Sequence, residues 1–159
     1  MDDIARKPTV LAVESALRAA GLTPRVRVLP ATAPTATAAA EQLGCSVAAI
    51  ANSLIFDAEG APLLVLTSGA HRVDTGKVAA YLGIAELSRA SAEFVRAHTG
   101  QAIGGVAPLG HPAPIRTLID ETLADQPEIW AAAGHPHTVF LTTFQELVAA
   151  TGAEAVAVN

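Results

Sequence analysis

The residues best suited to chemistry in this chain lie in one stretch, Ile103-Gly104-Gly105-Val106-Ala107-Pro108-Leu109-Gly110-His111-Pro112. It holds three glycines and two prolines in ten residues. A glycine pair lets a ligand approach the backbone with no Cβ in the way. Pro108 and Pro112 fix φ and remove N–H donors, which stiffens a loop the glycines alone would leave loose. Backbone N–H groups held in fixed positions suit a carbonyl or a developing oxyanion. The same composition also describes a plain turn between two strands.

Other polar residues offer weaker constellations. Asp120 ends the apolar run Ile115–Ile119, where a carboxylate can orient a water or hydroxyl, or cap the turn Glu121-Thr122-Leu123. His71 and Arg72 stand beside Asp74, placed for a phosphate or a ribose, or else part of a solvated loop. His135 and His137 are two apart, and His111 offers a third metal ligand. Nothing else in the chain has zinc-ligand spacing, so neither a metal nor another cofactor is expected. Cys45 is the only cysteine, which excludes an internal disulfide and a cysteine metal cluster. Ser68-Gly69 lacks the Gly-x-Ser-x-Gly elbow of a hydrolase nucleophile.

Local patterns indicate the elements that must position these groups. Val10, Val13, Leu17 and Ala20 recur at helical spacing within Thr9–Ala20, before Gly21. Arg25–Leu29 alternates as a strand, with Arg25 and Arg27 on its solvent side. Thr35–Leu43 reads as an alanine-rich helix, with Ser46 able to cap a further turn. Ile50–Phe56 and Pro62–Thr67 read as a hairpin about Asp57–Gly60. Asp74, Ser91 and Thr143 are candidate caps for helices through Leu82, His98 and Ala150. Ile115–Asp120, Ile129–Ala133 and Thr138–Leu141 read as strands. Phe56, Phe94, Trp130 and Phe140 read as core. The order mixes hairpins with single helices, so the expected fold is α+β: one domain over residues 1–159, a mixed, barrel-like curled sheet with helices around it.

Composition narrows the class. The 159 residues are 51% hydrophobic but only 4% aromatic and 16% charged, with formal net charge −5. That balance describes small-residue packing in a globular chain and argues against extensive nucleic-acid contact, though not against reading an RNA end. No apolar run is long enough to span a bilayer, and the mixed-charge start Met1-Asp2-Asp3-Ile4-Ala5-Arg6-Lys7 has no signal-peptide core behind it. A cytoplasmic location is expected.

Four stretches carry a resemblance. They are Ala39-Ala40-Glu41-Gln42-Leu43-Gly44 with Ile50-Ala51-Asn52-Ser53-Leu54-Ile55-Phe56; Leu64–Asp74 with Lys77; the glycine loop; and Leu118-Ile119-Asp120-Glu121 with Ile129-Trp130-Ala131-Ala132-Ala133-Gly134. In that order, over about residues 35–150, they resemble the YbaK/EbsC family, which includes the editing domain inserted in some prolyl-tRNA synthetases.

The resemblance implies a trans-acting aminoacyl-tRNA deacylase, which hydrolyses the ester of a mischarged tRNA without a metal or a protein nucleophile. A small amino acid such as alanine or cysteine on tRNA-Pro is the implied substrate. The partners would be the 3′ end of an aminoacyl-tRNA and an aminoacyl-tRNA synthetase, with monomer or homodimer left open. It implies catalytic positions at Gly104, Gly105 and Asn52; Asp120 is the further catalytic candidate, and Ser53, Ser68, His71, Arg72, Pro108 and Gly134 are the candidate substrate-binding positions. The family's lysine near the start of the second strand falls on Asn52, which is neutral and both donor and acceptor. That departure supports an alternative: a weakly active or inactive binding or regulatory protein of the same fold.

Overall fold

The computed structural model describes residues 2–33 and 35–159. Its helices are α1 (Asp2–Ala5), α2 (Pro8–Ala19), α3 (Ala36–Leu43), α4 (Thr75–Leu82), α5 (Ala92–Thr99) and α6 (Phe144–Thr151). Short 3-10 turns cover Val47–Ala49 and Glu121–Asp125. The strands are β1 (Val26–Val28), β2 (Ile50–Ala58), β3 (Ala61–Ser68), β4 (Ser88–Arg89), β5 (Arg116–Asp120), β6 (Ile129–Ala132), β7 (Thr138–Thr142) and β8 (Glu154–Val156).

Helix starts follow the polar residues that precede them. The side chains of Thr35, Asp74, Ser91 and Thr143 accept from the N–H groups of Ala38, Lys77, Phe94 and Glu146. Each answers one of the donors that a helix start leaves open. No side chain caps α2; it begins on Pro8, where the missing N–H costs nothing. Val10, Val13 and Leu17 form its buried stripe.

The eight strands make one mixed sheet in the order β1-β7-β6-β2-β3-β5-β8, with β4 also on β2. The β2–β3 hairpin turns on two residues, Glu59 at φ 54° and Gly60 at φ 98°. Positive φ at both centres matches the right-handed strand twist, and Asp57 Oδ1 accepts from Gly60 N at 2.6 Å. Both strands therefore run further into the turn than alternation alone indicates. β6 lies parallel to β2, and β5 parallel to β3, with β8 parallel beyond it. β1 and β8 end the order and do not pair with each other among the described residues, so the expected mixed, curled sheet stays open. No described helix is long and apolar enough to cross a membrane.

Alternation splits the core. Ala51, Ile55, Leu64, Leu66, Ile119 and Phe140 pack on one face with Val13 and Leu17. Phe56, Leu63, Val65 and Leu118 pack on the other with Val78 of α4. A smaller group, Ala39, Ala40 and Ile50, lies under α3. Three elements escape a reading of local pattern: α1, β4 and β8 have four, two and three residues, too few to show a period. The glycine loop joins helix α5 to strand β5, not strand to strand.

Candidate active site

The site begins as a gap in strand pairing. One edge of β2 is fully taken by β3, from Ala51↔Ser68 to Ala58↔Ala61. On the other edge, β6 pairs only with Ile50 and Ala51, and β4 only with Phe56 and Asp57. Between them, among the described residues, no strand covers Asn52–Ile55 on this edge. Gly69 N donates to Ile50 O at 2.8 Å, so even-numbered positions of β2 turn their main-chain groups to β3. The odd ones face the opposite edge. Ser53 thus presents its N–H and C=O to the opening.

A cavity of about 420 Å³ passes through this gap. Small residues widen its walls, among them Ala36 and Ala39 from α3, Ala131 and Ala132 from β6, and Gly104 from the loop. Its polar groups are Thr35, Asn52, Ser53, Arg89 and Thr138. Asn52 makes no side-chain hydrogen bond among the described residues and shares a sheet face with Ile50 and Leu54. Ser53 Oγ, on the other face, is buried without a partner. Among the described residues no Asp, Glu, His, Cys, Lys or Tyr lines the cavity. The wall therefore lacks any side chain able to exchange a proton near neutral pH.

The glycine loop closes one side of this space. Gln101, 2% exposed, receives the N–H of Ala107 on Oε1 at 2.7 Å. His111 donates Nε2–H to Ala107 O at 2.8 Å, and burial holds its pKa below the ordinary histidine value, which keeps the ring neutral. Gly104 stands at φ +93° with open space where a Cβ would lie, and it borders the cavity. Gly105 does not. Its N–H is given to Ala102 O at 3.0 Å, and a Cβ there would lie 2.7 Å from His135 C. Gly105 lets two loops touch, and the donors left over are the N–H groups of Gly104 and Val106, unpartnered among the described residues.

The other positions expected in the site lie outside the cavity lining. Asp120 is fully buried, and both its oxygens are occupied. Oδ2 accepts from Ser68 N at 3.1 Å and pairs with His71 Nδ1 at 2.8 Å. Oδ1 accepts from Thr122 N and Thr122 Oγ1 at 3.0 and 2.7 Å. Burial opposes ionisation of Asp120, but bonds from His71, Thr122 and Ser68 outweigh it and hold the pKa below the usual carboxylate value. The expected orienter of water is the cap of the turn after β5. Ser68 Oγ is spent on Ala48 O, and Arg72 is exposed. Pro108 is buried beneath the loop. Gly134, at φ +100°, lets the chain pass against α2, where a Cβ would meet Thr9 O at 2.7 Å.

The histidines hold backbone together. His135 Nδ1 accepts from His137 N at 3.0 Å, and His137 Nε2 is hydrogen-bonded to Thr32 Oγ1 at 3.0 Å. Among the described residues no three His, Cys, Asp or Glu side chains are grouped to hold a metal ion. Burial raises the Cys45 thiol pKa and keeps the group protonated. Sequence reasoning missed Trp130 and Arg89 as cavity residues. Trp130, expected in the core, is only partly buried, and Arg89 sits on a strand too short to recognise.

A loop with free N–H groups thus faces an unpaired stretch of strand edge across a largely apolar cavity. Residues 30–150 match the aminoacyl-tRNA editing domain, and the chain belongs to that family, as the four sequence stretches indicate. It is 36% identical over 96 residues to a proline–tRNA ligase of Limosilactobacillus fermentum, covering 57% of this chain and 17% of the ligase. It is 29% identical over 94 residues to the ligase of Levilactobacillus brevis, covering 59% and 16%. The chain thus spans about one sixth of the length of these curated relatives. A crystal structure described as a candidate trans-editing enzyme for prolyl tRNA synthetase superposes with TM-score 0.91 and 41% identity, over 96% of this chain and 98% of that one.

Proposed function

We propose that this protein is a cytoplasmic, trans-acting aminoacyl-tRNA deacylase that needs no metal. It hydrolyses the ester of a small amino acid, such as alanine or cysteine, mischarged on tRNA-Pro by a synthetase. The observation that carries this reading is the gap in β2 pairing facing the Gly104 loop, with Asn52 unbonded between them. The acyl side chain lies among Ala51, Ala131 and Ala132, and Ser53 offers main-chain groups to the polar part of the amino acid. Gly104 N–H, Val106 N–H and the Asn52 amide receive the charge that builds on the carbonyl oxygen. Water bonds to the carbonyl carbon, the bond to the ribose oxygen breaks, and that oxygen leaves with the proton. The wall has no general base among the described residues, so the proton passes from the water to that oxygen through the substrate's own groups or solvent.

Specificity rests on cavity size, where a methylene is worth only about 1–3 kcal/mol. The test is hydrolysis of tRNA-Pro charged with alanine, cysteine or proline. Release of alanine or cysteine well above the buffer rate, with proline retained, supports the reading. Survival of every ester as in buffer overturns it in favour of a binding protein that uses the same cavity without catalysis, for which Asn52 in the lysine position is the argument.

A further inference from the structure

Among the described residues the cavity has one charged residue on its wall, Arg89, and a second cation, Arg27, lies against the wall residue Trp130. Register fixes their places. Arg89 pairs with Phe56, so it shares a sheet face with Asn52 and Leu54. Arg27 pairs with Val139, and Val139 with Ala132, which puts Arg27, Ala132 and Trp130 on that same face. The Arg27 guanidinium lies 4.9 Å from the centroid of the Trp130 ring, and Trp130 itself borders the cavity. Neither arginine forms a salt bridge among the described residues, where the ion pairs are His71–Asp120 and Arg116–Glu154. In a chain of net charge −5, two guanidinium groups without an ion pair among the described residues share this sheet face.

An exposed arginine by itself is ordinarily a solvated side chain. Arg27 differs because the indole face holds its planar head, so less side-chain freedom remains to be lost when an anion binds. The register separates the two arginines by about four residues along the strands and two strands across them, on the order of 15 Å at the backbone. That span is wide for one small anion and suits successive phosphates of a chain.

We propose that Arg27 and Arg89 grip the phosphates of a single-stranded RNA end whose terminal, acylated residue enters the cavity, with Trp130 as the positioning residue for Arg27. This partner assignment rests on the acyl-site reading above, and its test is independent of catalysis.

The probe is an unacylated, 5′-labelled RNA strand ending in CCA, titrated by fluorescence anisotropy over a series of salt concentrations. Arg27→Ala and Arg89→Ala are each expected to weaken binding several-fold and to flatten the salt dependence by about 0.7 of a log unit per log unit of salt, as for one phosphate on a single strand. Arg18→Ala, at the exposed end of α2, leaves that slope unchanged. Trp130→Leu weakens binding when Arg27 is present and adds nothing in the Arg27→Ala background, a dependence that general damage to the fold would not show. Wild-type affinity and slope in both arginine variants overturn the grip, as does RNA binding without salt dependence. If RNA binds through both arginines while no ester is hydrolysed, the grip stands and the deacylase reading falls.

Discussion

Gly104 and Gly105 are adjacent, yet alanine at each should fail in a different way. A Cβ on Gly105 would lie 2.7 Å from His135 C, 2.8 Å from His135 Cα and 2.8 Å from Pro136 N, all backbone atoms. Ordinary carbon contacts sit near 3.5–4.0 Å, so the two loops must separate by about 1 Å. Overpacking of that kind costs about 1–3 kcal/mol, and a chain of this size loses roughly 2–4 °C of melting temperature per kcal/mol. Gly105→Ala should therefore melt about 2–12 °C below wild type. Because Pro136 borders the cavity, deacylation should fall with it. Gly104→Ala meets nothing within 4 Å but must hold φ +93°, a strain of about 1–2 kcal/mol. Its methyl group is also added at a residue that borders the cavity. It should melt closer to wild type and lose more of kcat/KM. Thermal unfolding beside hydrolysis of mischarged tRNA-Pro separates the two. A Gly105→Ala protein that melts within about one degree of wild type would refute the close approach of the loops. Full activity in Gly104→Ala would refute the loop as the ester-facing wall.

Asn52→Ala should lower kcat on the order of a hundredfold, as expected for one lost oxyanion donor, and Asn52→Asp should lose more because it sets a negative charge against the same oxygen. Steady-state deacylation decides this, and wild-type kcat in Asn52→Ala would remove Asn52 from the mechanism. Asp120→Asn should cost about 1–3 kcal/mol at neutral pH, because an amide NH2 in place of one carboxylate oxygen leaves buried donors such as Ser68 N–H without an acceptor. The folded pKa of Asp120 lies below its unfolded value, so its contribution is present above about pH 4 and fades as pH falls through the folded pKa. Denaturant unfolding should therefore show wild type and variant converging in acid, and a gap that stays constant with pH would count against the carboxylate bonds. Finally, kcat/KM should carry no ionisation belonging to a cavity side chain. The pH profiles of wild type and His71→Asn should match in shape, and a limb lost in the variant would place His71 in the reaction.

The elements legible in the sequence were those whose causes lie within one turn of chain. Asp74, Ser91 and Thr143 could be read as caps because each answers an N–H three residues on. The β2–β3 hairpin was readable because its turn residues stand between two apolar runs. The glycine loop stood out for the same reason, since Gly and Pro state their backbone demands locally.

Other roles were settled by partners far along the chain. Asp120 is drawn inward by Ser68 and His71, about fifty residues away, so a carboxylate at the end of a strand became a cap. Gly105 owes its role to His135 and Pro136, and Arg27 owes its fixed head to Trp130. Local pattern determined where helices and strands begin, and four motif stretches placed the family. Only the tertiary structure decided that β6 and β4 part along one edge of β2. Strand pairing is a property of two chains of residues at once, and no single segment records where its neighbour stops.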